Sequence, residues 1–168
     1  MNYYTKLRKI MIMLFVLSMG LTFTMNTQAS TDALSNGSFE SGSGSDAYYW
    51  GGHDGRVSGG AYLGTWYMGF STYETISQSI SVYSNYISYI SVYYKTGPVQ
   101  IRIYWDSTHY DSYDCTGTPS SWTYCKWDNS FVSNENLISI VFVANSAYTS
   151  YIDFAVLWVD TPCSPPYC

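Results

Sequence analysis

The 168 residues include 19 Tyr but only seven Lys plus Arg against twelve Asp plus Glu, giving a formal net charge of −5 with 19% aromatic and 11% charged residues. An acidic chain lacks the basic field that nucleic acid requires, its aromatic content excludes intrinsic disorder, and it is poor in the charged helix formers of bundles and coiled coils. What remains is a small β-rich domain whose surface is polar through hydroxyl groups and so suits neutral, hydroxylated partners.

In chain order, Lys6, Arg8 and Lys9 precede an apolar run from Ile10 to Met25, and Thr27-Gln28-Ala29 ends in a small residue. This is the pattern of a signal peptide cleaved after Ala29, so the mature protein is expected to be secreted and extracellular. A retained membrane anchor is the competing reading, but the uninterrupted apolar core is short for a spanning helix. No second such stretch follows and no Cys stands at the cleavage point, so no membrane insertion or lipidation is expected after cleavage. Cleavage removes three of the seven basic residues and none of the acidic ones, which makes the mature chain more acidic still. Residues 30–160 then read as one domain and 161–168 as a Pro- and Cys-rich tail.

Helical periodicity is absent beyond residue 29, and period-two alternation recurs between Gly, Pro, Asn and Asp. A short strand is predicted at Ser38–Glu40, followed by a flexible turn through the Ser-Gly repeat 40–45 and then by strands at Ala61–Met68 and Thr75–Val82. The next, Asn85–Lys95, places Ile90, Val92 and Tyr94 on one face and Tyr89, Ser91, Tyr93 and Lys95 on the other. Pro98–Asp106 sets Val99, Ile101, Ile103 and Trp105 against Gln100, Arg102, Tyr104 and Asp106. The Lys95-Thr96-Gly97-Pro98 turn joins these two as a hairpin. Residues 106–120 read as an ordered surface loop. Strands follow at Ser121–Trp127, Asn136–Ala144 and Ser150–Val159, with Ile138, Ile140, Phe142, Ile152, Val156 and Trp158 as core candidates.

Four Cys formally allow three connectivities, of which Cys115–Cys125 with Cys163–Cys168 is the economical one for an exported chain. There is no C-x2-C, and His53 and His109 are distant from both pairs, so no zinc site is expected.

The segment Asn36-Gly37-Ser38-Phe39-Glu40 resembles the opening of the calcium-containing jelly-roll carbohydrate-binding modules, which are galactose-binding-like β-sandwiches. Gly59-Gly60-Ala61-Tyr62-Leu63, Gln78-Ser79-Ile80, Tyr89 to Lys95 and Tyr151-Ile152-Asp153-Phe154-Ala155-Val156 match later parts of that family in order. The resemblance covers about 36–159. It implies an all-β antiparallel jelly-roll sandwich with a structural calcium ion held by the carboxylates of Glu40 and Asp153 and by carbonyls of Ser38 and the Gly59-Gly60 turn. Oxygen-only ligation of that kind suits calcium. The bland alternative is a solvated Glu40 and an Asp153 that caps the backbone. In this chain Asp153-Phe154 stands where the family often has two acidic residues, and Trp122 takes the place of a core Trp. Asn36-Gly37-Ser38 is also a glycosylation sequon, ranked below a structural role.

Aromatic planes beside hydroxyl-binding groups are what a sugar site needs. Across the predicted hairpin, Tyr89 and Tyr93 stand beside Gln100, Arg102 and Tyr104 as a binding strip, with Trp66 and Trp127 as stacking platforms at its edges. The alternative is that these Tyr are ordinary strand formers covering a sheet. No nucleophile motif, phosphate loop, H-E-x-x-H or dinucleotide fingerprint occurs, and no carboxylate pair is singled out for glycoside hydrolysis, so catalysis is not expected. The expected function is non-catalytic recognition of a neutral polysaccharide or cell-surface glycan. The competing class is a structural or adhesive surface protein that self-associates through its sheet edges.

Overall fold

The structure, a computed structural model, describes residues 30–52, 55–82, 86–132, 137–145 and 147–160. The signal segment, His53 and the Cys163–Cys168 pair fall outside them. Thirteen strands form among the described residues. These are β1 (Ser30–Asp32), β2 (Gly42–Ser43), β3 (Asp46–Ala47), β4 (Gly51–Gly52), β5 (Gly55–Ser58), β6 (Trp66–Phe70), β7 (Thr75–Ser81), β8 (Tyr86–Lys95), β9 (Val99–Tyr104), β10 (Tyr110–Cys115), β11 (Thr123–Val132), β12 (Leu137–Ala144) and β13 (Ser150–Asp160).

They pair antiparallel into a jelly-roll sandwich. The first sheet runs β11-β8-β13-β6-β5 with β1 added to β13, the second runs β10-β9-β12-β7-β4, and β2-β3 form a small ribbon. Alternation decides what fills the space between the sheets. From the first sheet Ile90, Val92, Tyr94, Met68, Phe70, Ile152 and Leu157 point inward, and from the second Val99, Ile101, Ile103, Ile138, Ile140, Phe142 and Ile76 do so. Tyr94 donates its hydroxyl hydrogen to the Thr116 carbonyl (2.5 Å), which satisfies its one polar atom inside the core.

The segment 95–98 is not a hairpin: β8 and β9 belong to different sheets. Its backbone groups are claimed by other loops. Thr96 N–H donates to Pro119 O (2.8 Å), Asn145 N–H and the Ser150 hydroxyl donate to Pro98 O, and Gly97 lies so close to Ser150 that an added Cβ would meet its Oγ at 2.6 Å. The chain therefore crosses between the layers, and β9 pairs with β12 and β10 instead.

A second departure lies in β13. The register slips between Asp153 and Val156, where Phe154 adopts φ 48°. This β-bulge reverses the inward parity, from Ser150 and Ile152 before it to Ala155, Leu157 and Val159 after it. Val156 and Trp158, expected in the core, thus face outward. The bulge leaves no orphaned donor: Ala155 N–H donates to Gly37 O (2.9 Å) and Phe154 N–H to Asp153 Oδ1 (2.7 Å). Gly37 is needed there, since a Cβ would meet Ala155 O at 2.0 Å.

Residues 38–40 form no strand. Asn36, at φ 53°, folds this stretch into a turn: its Nδ2 donates to Ser41 O and Tyr48 O, and its Oδ1 accepts from Ser41 N–H. That full engagement supports a structural role for Asn36. The Ser-Gly segment after it makes the β2-β3 ribbon, and β6 begins at Trp66, five residues later than expected, because 59–65 is a loop. Six residues of the expected surface loop 106–120 form strand β10. Its Cys115 is bonded to Cys125 of β11, so the disulfide ties the edge strand of one sheet to the edge strand of the other.

Candidate functional site

Cross-strand register places side chains of the second sheet in rows on its outer face. Gly51, Ser77, Val141, Arg102 and Ser112 form one row across five strands, from β4 to β10. Ser79, Ser139, Tyr104 and Tyr110 form the next, and Thr75, Val143, Gln100 and Asp114 the one on the other side. Over β7 and β12 the surface is low and hydroxylated, with Ser79 and Ser139 hydroxyls 3.0 Å apart. Over β9 and β10 it rises into Tyr104, Tyr110 and Arg102.

The tall side is held in place by its own hydrogen bonds. Arg102 Nε donates to Gln100 Oε1 (2.5 Å) and Nη1 to the Tyr104 hydroxyl (3.4 Å), while the guanidinium lies 5.0 Å over the Tyr110 ring. Gln100 Nε2 in turn donates to Asp114 Oδ1 (2.8 Å), which also accepts from Asn145 Nδ2 (3.4 Å). The result is a ladder of donors and acceptors, half-buried at Gln100 and Arg102 and exposed at Asp114 and Asn145, beside two tyrosines 4.8 Å apart and tilted 34°. Its one cation and one carboxylate are linked through Gln100, so the face presents little net charge. Such a surface fits hydroxyl groups and the C–H faces of sugar rings.

Tyr89 and Tyr93 are outward as alternation required, but on the opposite face of the sandwich, because β8 lies in the first sheet. The predicted strip is therefore divided: Gln100, Arg102 and Tyr104 stay together and the two β8 tyrosines leave them. On that other face Tyr89 stands parallel to Trp158 with centroids 6.0 Å apart and carries Lys126 4.4 Å over its ring. Trp127 is no platform: it points inward at 6% exposure and stacks on Tyr113 at the disulfide-tied edge. Trp66 is half-buried with the Arg56 guanidinium 4.0 Å over its ring. Trp122, expected inside, lies beyond the core on the first sheet, where Nε1 donates to Gly60 O (2.9 Å) and the ring packs edge-on against Tyr67 and under Lys95.

The sequence reading missed Tyr110 and Asp114, since β10 read as loop, and Asn145, which follows β12 and meets Asp114 only in the folded chain. Alternation of Tyr110, Ser112 and Asp114 was the available signal for β10.

Glu40 and Asp153 converge on the 59–65 loop, which folds over the outer face of the first sheet. Asp153, outward on β13 beside Tyr93, is fully covered by it. Leu63 N–H donates to Asp153 Oδ2 (2.9 Å), and Thr65 and Trp66 N–H both donate to Glu40 Oε1 (2.8 Å). Burial, joined by the nearby Glu40 charge and opposed by the backbone N–H groups, pushes the Asp153 carboxyl up to about 6. A covered carboxylate held near a second one is an environment that a cation would relieve. Among the described residues no third acidic, His or Cys side chain joins them, so a calcium ion there would take its remaining ligands from backbone oxygens. The Gly60 carbonyl is already used by Lys95 Nζ and Trp122 Nε1, and those of Phe39 and Glu40 by Arg56, which leaves Ser38 and Gly59 from the expected set.

No family model matches the chain, and no curated protein matches it in sequence. Solved structures do. A family 61 carbohydrate-binding module in complex with β-1,4-galactotriose superposes with a TM-score of 0.56 at 16% identity, covering 76% of this chain and 97% of that one. The xylan-binding domain CBM22-1 of Paenibacillus barcinonensis Xyn10C does so at 0.58 and 16%, covering 82% and 99%. The K2 cleaved adhesin domain of Lys-gingipain matches at 0.54 and 11%, covering 80% and 100%. At these identities the likeness establishes the fold, a β-sandwich shared with carbohydrate-binding modules.

Proposed function

We propose that this protein is an extracellular, non-catalytic carbohydrate-binding domain that takes a neutral glycan on the outer face of its second sheet. The observation that carries the reading is the ladder Arg102–Gln100–Asp114, fixed beside Tyr104 and Tyr110 and bordered by a low floor of Ser77, Ser79, Ser139 and Val141. Prearranged donors and acceptors lose little freedom when a ligand hydroxyl replaces water, and two tyrosines supply the apolar contact. Sandwiches of the same fold include a module solved with galactotriose and a xylan-binding domain, which supports the ligand class without specifying the sugar. The Cys115–Cys125 bond supports an oxidising compartment.

Calcium belongs to the same reading as a structural ion. Glu40 and Asp153 would hold it, with carbonyls of Ser38 and Gly59, and its charge would offset the repulsion between the two carboxylates under the loop.

Self-assembly through sheet edges has less behind it. The β10 edge carries Asp111 and Asp114, and the β11 edge carries Lys126 paired with Asp128 at 2.6 Å, which are features that discourage strand addition.

A neutral-glycan array run with calcium tests the proposal. The wild type is expected to bind a set of neutral polysaccharides, and Arg102→Ala and Tyr104→Ala each to weaken binding about tenfold, as the loss of one good polar or stacking contact does. Absence of wild-type binding, or undiminished binding by both variants, contradicts it.

A further inference from the structure

The division of the predicted strip leaves a second aromatic surface unassigned. On the outer face of the first sheet, Tyr62 of the 59–65 loop lies flat on Tyr93 of β8, with centroids 3.5 Å apart and planes within 13°. Tyr124 flanks Tyr93 at 5.1 Å and 47°, and Phe154 flanks Tyr62 at 6.4 Å and 41°. Tyr62, Tyr124 and Phe154 remain 44%, 49% and 37% exposed. No other described ring stacks on the face of Tyr62 turned away from Tyr93.

Two features show that this arrangement is held rather than incidental. The loop carrying Tyr62 is gripped from below by Asp153, through Leu63 N–H, and by Glu40, through Thr65 and Trp66 N–H. Phe154 occupies a left-handed conformation that costs a non-glycine residue about 1–2 kcal/mol, yet its ring is left partly in water, so burial does not offset that cost.

We propose that Tyr62, seated on Tyr93 and bordered by Tyr124 and Phe154, is a second sugar platform that takes a single pyranose ring on the face opposite the ladder. The face of Tyr62 turned away from Tyr93 receives the C–H face of the sugar, with the Phe154 ring tilted beside it. A second protein copy fits less well. The three exposed rings offer on the order of 300 Å², against about 800 Å² that each partner contributes to a stable protein interface. With both faces occupied, one domain would bridge two glycan chains. The platform shares no residue with the ladder and stands or falls separately from it.

The test is the same neutral-glycan array, run on the Arg102→Ala/Tyr104→Ala double variant and on that variant with Tyr62→Ala or Phe154→Gly added. Gly at 154 accepts the positive φ and keeps the bulge, so this variant folds while losing the ring. The double variant is expected to retain binding to at least one terminal neutral sugar, and either addition to reduce that signal at least tenfold. Loss of all signal in the double variant overturns the platform, as does retained signal indifferent to both additions. So does a wild-type dimer in sedimentation that Tyr62→Ala dissolves. Array binding by the wild type that Arg102→Ala/Tyr104→Ala leaves unchanged contradicts the ladder site alone.

Discussion

Each Lys and Arg beyond residue 29 lies over an aromatic ring: Arg56 over Trp66 at 4.0 Å, Lys95 over Trp122 at 4.2 Å, Arg102 over Tyr110 at 5.0 Å and Lys126 over Tyr89 at 4.4 Å. A chain with so few cations places each beside the quadrupole that its tyrosines and tryptophans supply. Arg56 is the most committed, donating from Nε to Phe39 O (2.8 Å) and from Nη2 to Glu40 O (2.7 Å). Arg56→Ala is therefore expected to cost about 2 kcal/mol in urea unfolding, and Arg56→Lys a smaller amount, because an ammonium reaches only part of that fork. Asp153 gives a pH signature of known sign. Its folded pKa, near 6, lies above the ordinary 3.8, so in the cation-free protein ionisation costs stability above pH 6 and the cost fades as pH falls toward 4. The melting temperature in EDTA should thus rise between pH 7.5 and 5.5, and saturating calcium should raise it most at the upper end. A melting curve unmoved by calcium at pH 7.5 contradicts the cation site.

At the level of elements, alternation was enough to read β8, β9 and β12, where every expected inward residue is inward. It was not enough to identify partners. A strand with one apolar face satisfies a neighbour in its own sheet or a layer across the core equally well, and Lys95-Thr96-Gly97-Pro98 carries ordinary turn chemistry in either case. What diverts it is long-range, the hold of Pro119, Asn145 and Ser150 on Thr96 and Pro98. The same limit explains Val156 and Trp158, since a bulge centred on a Phe leaves no Gly to announce it. The ladder was legible as three alternating residues of β9, whereas its partners on β10 were hidden by the Asp- and Ser-rich sequence of that strand. The disulfide links the two edges where β10 and β11 end their sheets. Cys115→Ser with Cys125→Ser is expected to cost about 3 kcal/mol by releasing the unfolded chain. It should also speed proteolysis in β10 and β11 ahead of β8 and β12, as limited digestion would reveal; uniform cleavage contradicts an edge-closing role.

For the whole molecule, the sandwich turns an imbalance of composition into two unlike faces. One is a low hydroxylated floor over β7 and β12 that rises into the polar ladder around Arg102; the other is built of stacked rings around Tyr93. Both are suited to neutral ligands, so binding should be nearly independent of ionic strength, with affinities at 50 mM and 500 mM NaCl agreeing within about twofold because little net charge is neutralised. A steep fall with salt points instead to an acidic or basic partner. The central claim is that the outer face of the second sheet holds the glycan. Its most direct measurement is NMR shift mapping with the strongest neutral oligosaccharide from the array. The account predicts perturbations concentrated at Arg102, Tyr104, Tyr110, Ser139 and Ser79, whatever happens around Tyr62. A map that leaves those five unmoved while the sugar binds contradicts it.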